Sequence, residues 1–250
     1  MSAEKTLDIL DLFSLETREL SVPQIAELLN QPQSSVYRHL RVLKEKGYVI
    51  ETSGGLYRLG FRFLNLAKIV KMDNSISSIA LPVMRKLTIE TGETSILTIV
   101  SGLHVVCLET VSSVQPIKVT AEQGQIMVLY GGASSKALLA YLPDDIVVEL
   151  FKRGIVKRHT SNTIVDLEQL RENLKEIRTR GYAVSDGEVD EGVLAYAAPI
   201  RDIDDHVIAS LTIAGPRERI LSKNEKVLID HLHSAIKEIQ NYFVENSGTI

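Results

Sequence analysis

The chain has 250 residues, of which 44% are hydrophobic and 24% are charged, proportions typical of a folded globular protein of one or two domains. Its formal net charge of −4 argues against a protein that coats nucleic acid with its whole surface. The charge is uneven, however. Residues 1–72 carry ten basic and eight acidic side chains, whereas the remainder carries 18 basic and 24 acidic ones. The N-terminal part is therefore the part expected to approach phosphate groups.

Cysteine content and hydropathy predict the compartment. The single cysteine, Cys107, rules out an internal disulfide and lies within a predicted strand, so it is assigned to the core. The first residues, MSAEKTLDILDL, carry charges inside their apolar run, which is not typical of a signal peptide. No stretch of about 18 apolar residues occurs. We expect a cytoplasmic protein without a membrane span.

The first predicted helix ends near Ser14. Leu7, Leu10 and Phe13 recur at a spacing that places them on one face of such a helix. That face is expected to complete a three-helix core with the two helices that follow.

The second predicted helix begins at a capping box, in which Ser21 accepts a backbone N–H of the first turn and Gln24 reaches back. Pro32 ends this segment, because proline cannot continue a helix and disfavours the helical conformation of the residue before it. Between these signals, four apolar residues follow the i, i+3, i+4, i+7 pattern of a buried face, namely Val22, Ile25, Ala26 and Leu29.

A third helix is predicted from about Gln33 to Lys46, with Gly47 as its stop. Its apolar residues cluster on one side, and short hydroxyls and arginines occupy the other, as in the recognition helix of a helix-turn-helix protein. A short hairpin around residues 52–55 follows and is typical of a wing. The residues expected to contact bases or phosphates are Ser34, Ser35, Tyr37, Arg38, Arg41, Lys44, Arg58 and Arg62.

The alternative is an ordinary helical pair with a solvated basic face. Four features in the order of a winged helix-turn-helix favour DNA binding over it: a capped helix, a tight break, a basic-faced helix and a glycine-rich hairpin. Residues 33–62 also carry six basic and two acidic side chains. We therefore predict a DNA-binding domain over residues 1–60.

Residues 61–71 are predicted to form an amphipathic linker helix, which packs either onto its own wing or against a second subunit. The boundary is expected within residues 71–75, so that the linker spans 61–74 and a second domain spans 75–250. There, strands are predicted at 95–100, 104–111, 117–121, 193–200 and 207–215, and helices near 76–87, 136–142, 144–154, 167–181 and 222–245. Their irregular order predicts an α+β fold on a mainly antiparallel sheet.

The best candidate site in the second domain is Gly131-Gly132-Ala133-Ser134-Ser135, which leads into a helix. Glycines allow close approach of a ligand, and a helix N-terminus offers unpaired N–H groups to a carboxylate or another small anion. The alternative is a simple loop with Ser134 as the helix N-cap. A phosphate-binding loop would need a glycine-lysine-serine/threonine sequence that is absent.

The sequence gives little support for a metal site or a catalytic site. His231 and His233 point to different faces of a helix, and the other histidines lack ligand-like neighbours in the sequence. The acidic run of Glu188, Asp190 and Glu191 is interpreted as a solvated loop. No nucleophile elbow, Cys-x-x-Cys or HExxH motif occurs. We predict no metal, no cofactor and no enzymatic activity.

Several stretches together resemble the IclR family of bacterial transcriptional regulators over nearly the whole length. They are KTLDILDLF, SVPQIAELL, SSVYRHLRVLKEKGYV, LYRLG, TGETSILTIV, GGASSKALLAYLP, IRTRGYAVSDGEVDEGVLAYAAPI and VIASLTIAGP. The resemblance implies a winged helix, a linker helix and a GAF-like effector-binding domain, in dimers or dimers of dimers on a palindromic operator. It also implies a small carboxylate effector. The residues it assigns to the effector pocket are Val119, Ala133, Ser134, Ser185, Ala195, Thr212 and Ala214.

Family members for glyoxylate- or pyruvate-sized acids look to have a cysteine at the position of Ala195 and serines at those of Thr212 and Ala214. The more apolar residues here suggest a roomier pocket and a larger effector, such as an aromatic or sugar-derived acid. The leading hypothesis is a ligand-responsive regulator, more often a repressor than an activator. Two rivals are a small-molecule enzyme with a fused winged helix and an oligomerisation module whose pocket is filled by side chains.

Overall fold

The computed structural model describes the backbone of residues 2–73 and 75–246, and the side chains of 3–69 and 76–242. The chain divides into two compact units, Met1–Asn74 and Ser75–Ile250.

The first unit is a winged helix-turn-helix followed by a further helix. Its described strands form a three-stranded antiparallel sheet in the order β1-β3-β2. The elements are helices α1 (Ser2–Asp11), α2 (Val22–Leu28), α3 (Gln33–Glu45) and α4 (Arg62–Asp73), and strands β1 (Leu20–Ser21), β2 (Val49–Glu51) and β3 (Leu56–Leu59).

Local capping explains where the two central helices begin and end. The Ser21–Gln24 capping box is present at the start of α2. At the other end of α3, Gly47 has a φ of 77°, and its N–H donates to the carbonyl of Lys44. The N–H of Tyr48 donates to the carbonyl of Leu43 at 2.8 Å. These two bonds form a Schellman motif, which satisfies carbonyl groups at the helix end.

The apolar faces predicted for α2 and α3 meet in the core of this unit, where Ile25, Val36 and Leu40 are fully buried. The prediction that α1 completes this core is confirmed, because Leu10 and Phe13 are partly buried against it, but the assignment of Leu7 to that face and of the helix end to about Ser14 is wrong. Ile9 is the buried residue, Leu7 is 60% exposed, and the helix ends at Asp11.

The start of α4 is fixed against the wing. The N–H of Gly60 donates to the carbonyl of Tyr48 at 2.7 Å, and the Phe63 ring meets the Tyr48 ring edge-on at 5.4 Å. This contact agrees with packing of the linker helix onto its own wing; packing against a second subunit stays a prediction. The side chain of Val70 and residue Asn74, to which the linker prediction also extends, lie outside the described residues.

The second unit contains one antiparallel sheet of six described strands, in the order β6-β5-β4-β9-β8-β7. Its helices are α5 (Ser75–Thr91), α6 (Ala133–Leu139), α7 (Asp144–Lys152), α8 (Leu167–Arg180), α9 (Arg217–Leu221) and α10 (Glu225–Asn246). Its strands are β4 (Thr94–Ser101), β5 (His104–Val111), β6 (Ile126–Val128), β7 (Ala183–Asp186), β8 (Val193–Arg201) and β9 (Val207–Pro216).

Helices cover both faces of this sheet and give two apolar layers. One layer packs α5, α9 and α10 against side chains such as Leu97, Leu211 and Ile213. The other packs α6, α7 and α8 against Ile96, Cys107 and neighbouring alanines. The predicted α+β fold on an antiparallel sheet is confirmed, and so is the core position of Cys107.

Several predicted boundaries are wrong. Residues 117–121 form no strand, whereas 126–128 and 183–186, which lie outside the predicted strands, do. The helix predicted at 136–142 begins and ends three residues earlier, and α9 was missed. The last helix begins at Glu225 rather than near Ser222.

Gly60 provides a test of how the wing meets α4. A Cβ at this position would overlap the carbonyl oxygen of Gly47, and a backbone atom yields less readily than the end of a side chain. We expect Gly60→Ala to destabilise the first unit by about 2 kcal/mol, measured by denaturant unfolding followed by circular dichroism. Asn65→Ala, at an exposed position of α4, serves as the control. Equal stability of the two variants would contradict the close approach.

Candidate functional site

The basic face predicted for DNA contact lies on α3, β3 and the first turn of α4. Seven of its eight residues are exposed, and Ser35 is half-buried. The exposed residues are Ser34, Tyr37, Arg38, Arg41, Lys44, Arg58 and Arg62.

These cations differ in their partners. The Lys44 ammonium lies 2.6 Å from Glu51 of β2, and the hydrogen bond to that carboxylate raises the pKa of Lys44 above its ordinary value. Arg41 has a looser partner in Glu45, at 3.8 Å. Among the described side chains, no carboxylate lies within ion-pairing distance of Arg38. Arg38 is therefore available to an external anion.

The second unit contains a cavity of about 290 Å³ between the sheet, the start of α6 and the loop after β7. All seven residues that the resemblance assigns to the effector pocket line it. They are Val119, Ala133, Ser134, Ser185, Ala195, Thr212 and Ala214.

Sheet register explains why the cavity exists at this place. Ser185 of β7 pairs with Ala195 of β8, Ala195 pairs with Ala214 of β9, and Ala214 pairs with Thr94 of β4. Cross-strand partners share one face of a sheet, so small side chains from four strands lie in one row. Their shortness leaves the room that larger side chains would fill.

The interpretation of Ser134 as the N-cap of α6 is wrong. The helix begins at Ala133 and its N-cap is Gly132, with a φ of 86° and no side-chain cap. The first amides of a helix have no acceptor within the helix. The N–H groups of Ala133 and Ser134 at the edge of the cavity are therefore open to an external acceptor.

A ladder of hydroxyl groups holds α6 on the sheet. The Ser134 and Thr212 hydroxyls lie 2.8 Å apart, and the Ser210 hydroxyl donates to the carbonyl of Ser134 at 3.0 Å. Thr98 of β4 in turn lies 2.8 Å from Ser210. All three strand hydroxyls are at most 1% exposed, so the ladder is a buried network that orients the first turn of α6.

An unpredicted ion pair joins Lys136 of α6 to Glu188 of the loop after β7, and both side chains are buried. The ammonium also donates to the carbonyl of Val184 at 3.0 Å, and Glu188 Oε2 accepts the N–H of Gly132 at 3.3 Å. Burial lowers the pKa of Lys136, and attraction by Glu188 opposes that shift. The interpretation of Glu188 as part of a solvated loop is wrong, although Asp190 and Glu191 are exposed.

The loop that carries Glu188 is itself fixed. The Thr163 hydroxyl donates to the carbonyl of Glu188 at 2.6 Å, and the Thr160 hydroxyl donates to that of Gly187 at 2.5 Å. Asn162 donates to the carbonyl of Asp186 at 2.9 Å. This wall of the cavity is therefore held by side chains of the segment before α8.

The opposite wall depends on a second buried carboxylate, Glu93, which binds Arg219 and Lys223 of the α9 segment. Arg219 also donates to the carbonyl of Ile117 at 2.6 Å, and the Thr94 hydroxyl donates to that of Val119 at 2.7 Å. Residues 117–119 are thus fixed by side-chain donors in place of the predicted strand pairing.

The structure brings together one group of metal-ligating side chains among the described residues, Asp202, Asp204 and His206, in the turn between β8 and β9. Asp202 Oδ1 already accepts the N–H groups of Asp204 and His206, which is the role of an aspartate in a tight turn. The interpretation that His206 lacks such neighbours is thereby corrected.

None of the helices within the described ranges is long and apolar enough to cross a bilayer.

Family models cover almost all of the chain. Residues 68–241 match the C-terminal domain of the bacterial transcriptional regulator IclR, and residues 2–52 match the IclR helix-turn-helix domain.

Individual proteins agree with these models. The HTH-type transcriptional regulator KipR of Bacillus subtilis is 28% identical over 235 residues, which are 94% of this chain and 94% of KipR. The HTH-type transcriptional repressor AllR of Klebsiella pneumoniae is 29% identical over 218 residues, which are 87% of this chain and 80% of AllR. The crystal structure of the Thermotoga maritima IclR is 30% identical, with a TM-score of 0.72, and the match covers 97% of this chain and 98% of that one.

The ion pair at the cavity leads to a stability prediction. Lys136→Met leaves the Glu188 carboxylate buried without its cation, and we expect it to reduce the free energy of unfolding by about 3–5 kcal/mol. The double variant Lys136→Met/Glu188→Leu replaces both charges by apolar groups and should recover most of that loss. Denaturant unfolding measures both, and a single variant as stable as the parent would contradict this role for the pair.

Proposed function

Because the chain belongs to the IclR family of bacterial transcriptional regulators, we propose that it binds a palindromic DNA operator and that a small carboxylate in the cavity of the second unit switches this binding. We propose domain limits of 1–60, 61–74 and 75–250 for the DNA-binding domain, the linker helix and the effector-binding domain. The homologues are transcriptional regulators and not enzymes, so the rival of a fused small-molecule enzyme has no support from them.

The observation that carries the effector half of the proposal is the row of small residues beside the start of α6. The seven assigned residues come from five segments and are among those that line this cavity, next to helix amides that donate to no side-chain cap. Helix amides of this kind suit a carboxylate. Because Ala195 and Ala214 are small and apolar, we propose an effector larger than glyoxylate or pyruvate, such as an aromatic or sugar-derived acid. A volume of about 290 Å³ is near the lower end of the usual range for small-molecule sites.

The DNA half rests on the exposed face of α3. Its first turns carry Ser34, Ser35, Tyr37 and Arg38, which are proposed to face base edges or phosphates, while Arg41, Lys44, Arg58 and Arg62 bind mainly phosphate. A dimer would place two such heads on half-sites one helical turn apart. The relative named as a repressor, AllR, supports repression as the more common mode, in the cytoplasm, by a dimer or a dimer of dimers.

Fluorescence anisotropy with the full chain tests this function. Double-stranded DNA selected from a random pool, and DNA upstream of its own gene, would be titrated at several salt concentrations. Specific binding that exceeds binding to unrelated DNA, and that falls steeply with salt, is expected. A pool of small carboxylates should then change the affinity, and indifference to DNA sequence with and without the pool would contradict the proposal.

Arg38 is the residue on which DNA recognition should depend most visibly. Arg38→Ala removes a guanidinium that has no carboxylate partner among the described side chains, and we expect about tenfold or greater loss of operator affinity. Binding of the carboxylate should be unchanged. Arg153→Ala, which removes an equal charge from the second unit, serves as the matched control in the same anisotropy titration. An Arg38 variant with the parent affinity would refute this assignment.

Filling the cavity should separate the two halves of the function. Ala195→Leu places three more carbons among the small residues of the row, so we expect loss of the response to the carboxylate pool with operator affinity retained. The control is Ala3→Leu, which adds the same atoms at an exposed position of α1. If the Ala195 variant responds to the pool as the parent does, the effector does not bind in this cavity.

A further inference from the structure

A charged pair joins α3 to the wing on the face proposed to bind DNA. The ammonium of Lys44, in the last turn of α3, lies 2.6 Å from the carboxylate of Glu51 on β2. The other ion pair described on this face, between Arg41 and Glu45, is longer at 3.8 Å and lies within α3. Glu51 is therefore an acidic residue of the wing whose charge is directed at a cation of the DNA-binding face.

The pairing of the wing strands explains why Glu51 is directed toward α3. Glu51 of β2 and Tyr57 of β3 are cross-strand partners, and such partners share one face of a hairpin. Tyr57 is 6% exposed, and it lines a cleft of about 310 Å³ together with residues of α3, namely Tyr37, Arg38, Arg41 and Lys44. The face of the wing that carries Glu51 is thus the face that borders this cleft.

The pair is accessible to a third charged group. The side chain of Lys44 is 52% exposed and that of Glu51 is 38% exposed. A phosphate that approaches Lys44 either replaces Glu51 or comes to lie beside it. In the first case the ion pair is lost, and in the second two anions share one cation and repel each other. Glu51 weakens the attraction between Lys44 and phosphate in both cases.

We propose that Glu51 competes with DNA phosphate for Lys44 and thereby limits how tightly the first unit binds DNA of any sequence. Because the pair carries no net charge, Lys44 neutralises a phosphate at full strength only when the charge of Glu51 is removed. This inference rests on the proposed phosphate contact of Lys44 and names the residue that opposes it.

Fluorescence anisotropy of the full chain on a duplex of random sequence, at several salt concentrations, tests the role of Glu51. Glu51→Gln keeps the shape of the side chain and an acceptor for Lys44 but removes the charge. We expect this variant to bind the duplex about threefold more tightly or better. The slope of log affinity against log salt concentration should steepen by up to about one for each bound head.

A control variant separates the pair from the change in net charge. Glu27→Gln makes the same substitution at an exposed position of α2 and leaves the Lys44 pair intact, so its gain in affinity should be smaller than that of Glu51→Gln. A purely structural role of the pair, in which it holds the wing against α3, predicts the opposite sign, since Glu51→Gln would then weaken binding. Thermal unfolding verifies that each variant is folded.

A double-mutant cycle measures the competition directly. Lys44→Gln in the parent removes a cation that is already engaged, so we expect affinity for the duplex to fall by only about twofold. In the Glu51→Gln background the same substitution removes a free cation, and the expected loss is about fivefold or more.

The outcomes separate this inference from the proposed function. If the parent binds the duplex but Glu51→Gln gains no more than Glu27→Gln, or if Lys44→Gln costs the same factor in both backgrounds, the competition by Glu51 is overturned and DNA binding stands. If neither the parent nor any variant binds the duplex at low salt, the proposed DNA binding and this inference are overturned together.

Discussion

The cavity of the second unit depends on a buried ion pair between Lys136 of α6 and Glu188 of the loop after β7. Removing two charges from water is costly, so a pair of this kind persists only where its remaining hydrogen-bonding groups are also satisfied. Here the carbonyl of Val184 accepts from the ammonium, and the N–H of Gly132 donates to the carboxylate. The pair therefore holds the first turn of α6 and the loop wall in one arrangement. The hydroxyl ladder through Ser134 fixes the same turn to the sheet.

Local signals in the sequence predict the parts of this fold that local physics determines. The capping box at Ser21, the glycine stop at Gly47 and the apolar spacing of α3 are each contained within one or two helical turns, and the structure has them. The phase of α1 could not be derived in this way. Several apolar residues compete for its buried face, and contact with the other helices selects Ile9 rather than Leu7.

The cavity of the second unit could not be predicted from local signals. Lys136 and Glu188 are 52 residues apart, and nothing within either segment indicates that they form a pair. The one available signal was the position of a lysine among alanines and leucines in α6, which suggests that the lysine is buried with a partner. Residues 117–121 alternate like a strand, yet their carbonyls at 117 and 119 bind side chains of Arg219 and Thr94. Pairing of that kind depends on tertiary position. Seven of the residues that line the cavity were assigned from the family resemblance, because register between strands far apart in the chain cannot be derived from composition or spacing.

The two units differ in whether a cation is free to bind an external anion, and the partners of Arg38 and Lys136 account for the difference. In the first unit, Arg38 is exposed and has no carboxylate partner among the described side chains, so its charge is open to the polyanion that we propose as its partner. In the second, the ammonium of Lys136 is buried against Glu188, and the described residues that line the cavity offer neutral donors, which act at short range and in fixed directions. Donors of that kind bind an acid only when its carboxylate is correctly placed. Because the walls of the cavity are held by buried hydrogen bonds and ion pairs, a poorly matched acid gains little from adjustment of the protein. For the proposed effector, discrimination among small acids would then depend on their shape and on where their carboxylate is placed.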